Sequence, residues 1–305
     1  ILGYTPKFLL HEVEEHNLIQ TISTIEEALA LDSSGAAKVH IKINTGMNRL
    51  GISADNIDEI AAIYRLKNIQ VTGIYTNLYS SDEVAPTLVQ FEKFGQILRG
   101  LEARGIKAGI RHVCNSGGII AFRQMHLDMV REGIMLYGLY PSKKISRSTV
   151  NLKECMELRS FIARIMNVKK GDGISYGHDF IAPIDMKIAA VSLGYSDGVF
   201  RNLGNKGEVI IHDRRRPIVG RVCMNMFMVD ITGMDDVEVE DEVIVFGRSE
   251  NQFISIEEVA EWAGTISYEV ICRTGCSAPR VYFKNGRMIG CEQESLIEKN
   301  GNKHI

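Results

Sequence analysis

The sequence predicts an α/β domain followed by a mainly antiparallel β domain, and two observations carry this prediction. Up to about residue 140, short β-branched runs alternate with amphipathic stretches of helical length, which is typical of βαβ units and a parallel sheet. Beyond Tyr140, short strand-like runs are separated by Gly, Asp and Asn residues, which is typical of antiparallel strands. We place the domains at residues 1–145 and 146–305, because a Ser/Lys/Arg-rich connector covers residues 142–151.

The elements of the first domain follow a repeating order. The expected strands are Val39–Ile43, Val71–Asn77, His112–Cys114 and the region Met129–Tyr137. The expected helices are Ala54–Tyr64, Thr87–Glu102 and Gly117–Arg123. This order favours a TIM-like (β/α)8 barrel, but a closed barrel needs about 250 residues and this stretch holds roughly five or six units. We therefore expect that one or two N-terminal units are missing and that Ile1 begins within the domain.

The second domain is predicted from short runs bounded by turn residues. Its strands are expected over Leu158–Val168, Lys187–Leu193, Glu208–Ile211, Ile218–Val222, Phe227–Ile231 and Glu242–Phe246. One helix is predicted, over Ser255–Ala263, because Ser255 and Glu258 have the spacing of a capping box.

Composition narrows the class of protein. The chain has 305 residues, 45% hydrophobic and 24% charged, with a formal net charge of −3. A chain with this net charge lacks the overall positive field that non-specific nucleic-acid binding requires, so we do not expect a nucleic-acid-binding protein. No run approaches the roughly 18 apolar residues that span a bilayer. The 6 cysteines are scattered, unlike a secreted disulfide scaffold, so we expect reduced thiols and a cytoplasmic location.

Charged residues at predicted strand ends are the first candidates for chemistry. Arg49 lies between Gly46 and Gly51 directly after a strand, where a guanidinium can bind a carboxylate or phosphate. The alternative is an arginine that only solvates a loop. Lys42 lies inside the preceding strand, where an unpaired charge is costly and therefore informative.

Three further segments combine glycine with polar side chains. Arg131 precedes Gly133 at the end of a late strand, where barrels commonly bind phosphate, and Ser116 opens a glycine-rich helix suited to an anion. His112 and Cys114 have no further ligands that would complete a metal site, so we predict no metal. Tyr176 lies between turn residues and can serve as a general acid or base if a cation lowers its pKa, although a purely structural tyrosine is the commoner case.

The order of these motifs resembles fold-type III alanine racemases, which depend on pyridoxal 5′-phosphate (PLP). The matching segments are TGMNRLG, RHVCNSGG, MVREGIMLYG, ISYGHDF, LGYSDG, PIVGRVCMNM and APRV. The resemblance implies that Arg49 lies near the substrate carboxylate, held by Lys42, which is often carbamylated in the family. It implies that Arg131 bonds the pyridine nitrogen. It implies that Tyr176 is the second acid/base, donated across a head-to-tail homodimer, with Met224 contacting substrate beside it. The implied phosphate ligands are Ser116, Gly133, Ile134 and Tyr195.

The chemistry explains why the family needs these residue types. PLP bound to an amino acid acidifies the Cα proton, and racemisation then requires proton-transfer groups on both faces, which a lysine and a tyrosine supply. An arginine at the pyridine nitrogen keeps that nitrogen unprotonated, which limits the electron sink and favours return of the proton.

The sequence departs from the family pattern at four points. No segment resembling Lys-Ala-Asp-Ala-Tyr-Gly, which carries the PLP lysine, occurs in residues 1–305, so we expect a truncated sequence. Asn77 stands where the family usually has histidine, Asn225 where it has aspartate, and Cys276 near its phosphate-binding tyrosine. The changes at Cys276 and Asn225 make the pocket roomier and less anionic, and in this the sequence resembles the serine/alanine racemases of vancomycin resistance, whose racemase domain follows a membrane-embedded domain.

The functional prediction is therefore a PLP-dependent racemase of serine, alanine or both, for cell-wall precursors. We expect a cytoplasmic location, and the resemblance to the vancomycin-resistance enzymes implies the cytoplasmic domain of a longer membrane protein. The alternatives are a housekeeping alanine racemase without serine activity, an amino-acid decarboxylase of the same fold type, and a non-catalytic PLP-binding regulatory protein.

Overall fold

The computed structural model describes residues 1–274 and 278–292 and divides the chain into two compact units. These units are Ile1–Glu154 and Cys155–Ile305. Cys276 lies outside the described residues. Within the described residues, no helix is long and apolar enough to cross a membrane.

The first unit is an α/β structure built on a parallel sheet. Its strands are β1 (Ile19–Ile22), β2 (Ala37–Asn44), β3 (Ile52–Ser53), β4 (Ile69–Tyr75) and β5 (Ile110–His112). Its helices are α1 (Leu10–Glu15), α2 (Ile25–Ser34), α3 (Ile57–Ile63), α4 (Val84–Glu102) and α5 (Ser116–Ala121). The sheet has 5 strands in the order β1-β2-β4-β5, with β3 paired to β2, and the paired strands run parallel. The predicted α/β class is confirmed, whereas the absence of N-terminal barrel units stays a prediction.

Burial of the central strand follows from its position. In β2 every residue from Val39 to Ile43 is buried, as expected for a parallel strand covered on both faces. Ile41 pairs in register with Ile22 on one side and Ile74 on the other, and all three side chains are almost fully buried. His40 and Lys42 are the polar residues of this buried run, and Lys42 lies toward the carboxyl end of the strand.

The structure differs from the sequence prediction near two element boundaries. The helix expected from Ala54 begins instead at Ile57, because the Asn56 side chain accepts the Glu59 N–H and caps the helix there. The strand expected over Met129–Tyr137 is limited to a bridge from Met129 to His112, followed by a 3-10 turn at Ile134–Tyr137. The prediction of a strand across this region was wrong.

The second unit is dominated by antiparallel strands, as predicted. Its strands are β6 (Leu158–Val168), β7 (Gly173–Ile174), β8 (Phe180–Ile181), β9 (Met186–Val191), β10 (Glu208–Ile211), β11 (Arg214–Val219), β12 (Phe227–Asp230), β13 (Glu242–Arg248), β14 (Phe253–Ile254), β15 (Arg280–Lys284) and β16 (Arg287–Glu292). The main sheet has 7 strands in the order β10-β11-β12-β9-β6-β13-β14, and the pairs β7–β8 and β15–β16 form separate two-stranded sheets. The long strand β6 pairs with both β9 and β13.

Two helices follow β14 where one was predicted. Helix α6 (Ile256–Ala263) has the predicted capping box, in which the Ser255 hydroxyl accepts the Glu258 N–H and the Glu258 carboxylate accepts the Ser255 N–H. Helix α7 (Ser267–Arg273) was missed, because it has no side-chain cap at Ile266 and buries only Val270. Without a cap or an apolar stripe, the sequence gives little sign of a helix there.

Candidate active site

Arg131 forms the centre of a polar cluster at the carboxyl ends of β2, β4 and β5. One guanidinium nitrogen, Nη1, bonds the Nδ1 atom of His112 at 2.6 Å. The other, Nη2, donates to the backbone carbonyls of Thr76 at 2.9 Å and Val113 at 3.1 Å, and to the Asn77 side-chain oxygen at 3.1 Å. Because Nε and the second Nη1 proton bond no described residue, Arg131 keeps donors for an outside acceptor such as a ring nitrogen.

Two aromatic rings support the Arg131 side chain. The Tyr75 and His112 rings stack with centroids 4.6 Å apart and planes 7° from parallel, and the Arg131 guanidinium carbon lies 5.0 Å from the Tyr75 centroid. Burial, followed by the charge of Arg131, lowers the pKa of His112 to about 3, so this imidazole is neutral at physiological pH. Burial also raises the pKa of the Cys114 thiol to about 11. The Cys114 thiol donates to the Met125 carbonyl.

Lys42 and Arg49 add positive charge beside this cluster. Burial, followed by the charges of Arg49 and Arg131, lowers the pKa of the Lys42 amine. The Lys42 Nζ atom lies 5.8 Å from the Tyr75 ring centroid, and no described carboxylate forms an ion pair with it. Arg49 is exposed and bonds no described residue, so its guanidinium is available to a carboxylate. Lys42, Arg49 and Arg131 form no ion pair with a carboxylate among the residues that the structure describes, and this excess of positive charge suits an anionic ligand.

Ser116 connects the start of α5 to the loop after Arg131. Its buried Oγ atom accepts the N–H of Gly133 at 2.9 Å and that of Met135 at 3.4 Å. The hydroxyl proton meets no acceptor among the residues described, so Ser116 can donate it to an anion. Gly133 uses its N–H within the protein, whereas the Ile134 N–H has no partner in the described chain. Ser116 and Ile134 therefore retain donors that fit a phosphate group.

Asn77 replaces the expected histidine and joins the same cluster. Its side-chain oxygen accepts from Arg131, and its nitrogen lies 3.2 Å from the Met47 sulfur and 3.4 Å from the Leu78 carbonyl. It thus fixes the guanidinium from a second direction.

Tyr176 lies in a tight turn of the second unit and is 71% exposed. The turn is held by Ser175, whose hydroxyl donates to the Arg221 carbonyl at 2.7 Å. Three of the four positions from 175 to 178 have a positive φ, with 65° at Ser175, 74° at Gly177 and 49° at His178. The backbone is therefore constrained while the phenol faces open space.

Arg221 and Asp179 support this turn and were not identified from the sequence. The Arg221 guanidinium binds both oxygens of the Asp179 carboxylate, with one bond of 2.8 Å. A Cβ at Gly177 would lie 2.9 Å from the Arg221 Cζ atom, so the guanidinium packs directly against the turn. No local spacing links residues 42 positions apart, so only the folded chain shows this pair.

Tyr195 and Met224 lie on turns that pack against each other. The Tyr195 N–H donates to the Cys223 carbonyl at 3.0 Å, and the Met224 carbonyl accepts the Ser196 hydroxyl at 2.8 Å. Cys223 also contacts Ser175, with 3.4 Å between the Sγ and Oγ atoms, so the Tyr176 and Tyr195 turns share one support. The Tyr195 hydroxyl bonds no residue in the described ranges and can donate to a phosphate.

Of the two residues predicted to govern specificity, the structure describes Asn225 but not Cys276. Asn225 is exposed beside Met224, and its carboxamide bonds none of the residues that the structure describes. Cys276 lies outside the described residues. Residues 1–274 and 278–292 contain no group of three or more His, Cys, Asp or Glu side chains that could hold a metal ion.

Comparisons with known proteins identify the family of this chain. Residues 1–141 match the family model "Alanine racemase, N-terminal domain", and residues 155–282 match "Alanine racemase, C-terminal domain". The alanine racemase of Clostridium tetani is 39% identical over 95% of this chain and 78% of its own. That of Desulforamulus reducens is 40% identical over 93% and 78%. The chain belongs to the alanine racemase family.

Solved structures of this family support the same conclusion. The alanine racemase of Clostridium difficile 630 has a TM-score of 0.89 and 34% identity, covering 96% of this chain and 78% of that one. The alanine racemase of Bacillus anthracis with bound L-Ala-P has a TM-score of 0.89 and 31% identity, with the same coverage. The protein is accordingly a PLP-dependent racemase. The decarboxylase and non-catalytic alternatives are set aside.

The residues of the first unit fit PLP. Arg131 keeps free N–H donors for the ring nitrogen, Ser116 keeps its hydroxyl proton for the phosphate, and the cluster has an excess of positive charge. These donors match the two acceptors that PLP offers. One is its anionic phosphate, and the other is its ring nitrogen, which would be unprotonated opposite an arginine.

Proposed function

We propose that the protein interconverts L- and D-alanine by two-base proton transfer, with Tyr176 as one of the two groups. The observation that carries the proposal is the position of the Arg131 guanidinium. Four acceptors bind its two Nη atoms, while its Nε atom bonds no described residue. Because a guanidinium never gives up its proton in a protein, it can only donate to the ring nitrogen, which therefore stays unprotonated. That arrangement favours returning the proton to Cα over other outcomes.

The surrounding residues bind and orient the ligand. Ser116 and Ile134 supply donors to the phosphate, and Gly133 keeps the Ser116 oxygen in position. We propose the Tyr195 hydroxyl as a further phosphate donor, supplied from the same turns as Tyr176. The exposed Arg49 guanidinium pairs with the substrate carboxylate, beside Lys42. When bound, PLP supplies the electron sink that acidifies the substrate Cα–H bond.

Tyr176 moves a proton at its phenolic oxygen. Its exposure leaves the oxygen accessible, and its constrained turn limits the positions that this oxygen can take. Proximity of a fixed proton donor to the reacting carbon is what general acid–base catalysis requires. We propose Met224 as a substrate contact beside Tyr176, because Cys223, which precedes Met224, contacts Ser175, which precedes Tyr176.

The direct test is Tyr176→Phe, which removes the proton but keeps the ring. We expect racemisation in both directions to fall by at least about two orders of magnitude, while PLP binding is retained. Tyr268→Phe, at another partly exposed tyrosine of the same unit, is the control and should have normal activity. Near-normal turnover in Tyr176→Phe would contradict the assignment.

We also propose a head-to-tail homodimer in which Tyr176 of one subunit serves the Arg131 cluster of the other. A mixture of Tyr176→Phe and Arg131→Ala subunits should then recover activity, since each heterodimer contains one intact site. Failure to recover after verified subunit exchange would show that each chain builds its own site.

Serine is a second candidate substrate, and Asn225 is the observation that favours it. A buried serine hydroxyl needs a partner, because leaving it unpaired costs about 1–3 kcal/mol. The Asn225 carboxamide is unpaired within the described chain and can both donate and accept, whereas aspartate only accepts. Together with the smaller Cys276, this would give the specificity of the vancomycin-resistance enzymes.

The serine proposal is tested by restoring the family residues. Cys276→Tyr combined with Asn225→Asp should reduce kcat/KM for L-serine more than for L-alanine. If the parent protein does not racemise serine, or if both substrates lose activity equally, alanine is the substrate and the serine proposal fails.

A further inference from the structure

His40, His112 and Arg131 form a continuous chain of hydrogen bonds inside the first unit. The Nδ1 atom of His40 lies 2.8 Å from Nε2 of His112, and Nδ1 of His112 lies 2.6 Å from Nη1 of Arg131. His40 is 8% exposed and His112 is 1% exposed, so solvent does not compete for these bonds. His40 is on β2 and His112 at the end of β5, and neither was chosen from the sequence for this role.

The chemistry of the three side chains determines which atoms donate and which accept in the His40–His112–Arg131 hydrogen bonds. Arg131 only donates, so its bond to His112 forms only while Nδ1 of His112 is unprotonated. A neutral His112 then carries its proton on Nε2 and donates it to Nδ1 of His40. By the same reasoning, His40 carries its own proton on Nε2.

The His40 ring is confined around that last proton. A Cβ at Gly73 would lie 2.6 Å from the His40 Nε2 atom and 2.7 Å from the Ile110 carbonyl oxygen, so only glycine admits the ring here. The Nε2 atom is buried and bonds no residue in the described ranges. The side-chain contact of this ring within the described residues is the one that Nδ1 makes with His112.

We propose that His40 is a positioning residue for Arg131, because its Nδ1 acceptor keeps His112 in the one tautomer that can accept from the guanidinium. If His112 instead carried its proton on Nδ1, two N–H groups would face each other and Arg131 would lose one of its contacts. This inference rests on the proposed function insofar as Arg131 is the group that contacts PLP.

The first test needs no substitution and uses the ¹⁵N-histidine-labelled holoenzyme. In a neutral imidazole the unprotonated nitrogen resonates far downfield of the protonated one, so long-range ¹H–¹⁵N spectra report the tautomer. Both His40 and His112 should show protonated Nε2 and unprotonated Nδ1 at neutral pH. A His112 protonated at Nδ1, or at both nitrogens, overturns the proposal.

Substitutions at His40 then separate the acceptor from the ring. His40→Leu removes the acceptor, so His112 should populate both tautomers and PLP should bind about tenfold more weakly. His40→Asn places an amide oxygen near the position of Nδ1, so both the His112 tautomer and the PLP affinity should be restored. The control is His126→Leu, which removes a half-buried imidazole that bonds the Ile119 carbonyl and takes no part in the His40–His112–Arg131 hydrogen bonds. It should change neither the His112 tautomer nor the PLP affinity.

These outcomes are distinct from those that test the reaction. Unchanged tautomer and PLP affinity in His40→Leu overturn the positioning role, even if racemisation depends on Tyr176. If His40→Leu does not fold, His40→Asn provides the test, and PLP binding about tenfold weaker than in the parent protein overturns the role. The His112 tautomer in the spectrum of the unsubstituted protein is an independent test. Retained racemisation in Tyr176→Phe would contradict the proposed function while leaving the His112 result intact.

Discussion

Acidification should destabilise the first unit through His112, because this imidazole is buried uncharged beside the Arg131 guanidinium. The unfolded chain protonates it near its ordinary pKa of 6.5, whereas the folded protein holds that pKa at about 3. Between these values the unfolded state binds one more proton, so the free energy of unfolding decreases as the pH falls. The contribution is fully present above about pH 6.5.

The magnitude follows from the width of the pH range. One proton of difference changes the free energy of unfolding by about 1.4 kcal/mol per pH unit, so acidification from pH 6.5 to 5 should cost about 2 kcal/mol through His112. Burial also lowers the pKa of His40, which adds to the effect in the same direction. Carboxylates whose pKa is held low, such as Asp128 and Asp213 at about 2, lose their contribution mainly below pH 4.5 and interfere little in this range.

The assay is urea unfolding followed by circular dichroism at pH 7, 6.5 and 5, with His112→Gln as the matched variant. Glutamine can still donate toward His40 but does not titrate, so its stability should fall by about 2 kcal/mol less than that of the parent between pH 6.5 and 5. Equal pH dependence in the two proteins would refute the view that His112 is kept neutral by its surroundings.

Two further predictions concern the second unit. Ser255→Ala removes the capping box of α6 and should lower the free energy of unfolding by about 1 kcal/mol, measured by urea unfolding, whereas Ser255→Asp should preserve the cap. Asp179→Asn breaks the paired contact with Arg221 beneath the Tyr176 turn and should lower kcat about tenfold with little change in PLP affinity. Unchanged kcat would show that the turn does not need this ion pair.

Local patterns predicted the elements that depend on near neighbours in the chain. The apolar run around Ile41 indicated a buried parallel strand, and the Ser255 and Glu258 spacing indicated the start of α6. Both signals arise within a few residues, where side-chain periodicity and capping act. Helix α7 lacks such signals, and the Met129–Tyr137 run has strand-like composition but folds into a 3-10 turn. Composition alone did not distinguish those two conformations.

Tertiary structure decided how the candidate site is assembled. The sequence placed Arg131 at the end of a strand, Ser116 at the start of a helix and Lys42 inside a strand, and it identified the family that uses them, because those motifs are short and local. It could not show that His40 bonds His112, 72 residues away, or that Arg131 is held by the Thr76 carbonyl, 55 residues away. These contacts depend on strand register and on the absence of a side chain at Gly73, which admits the His40 ring. Register and close packing are properties of the whole sheet, so no local run of residues encodes them.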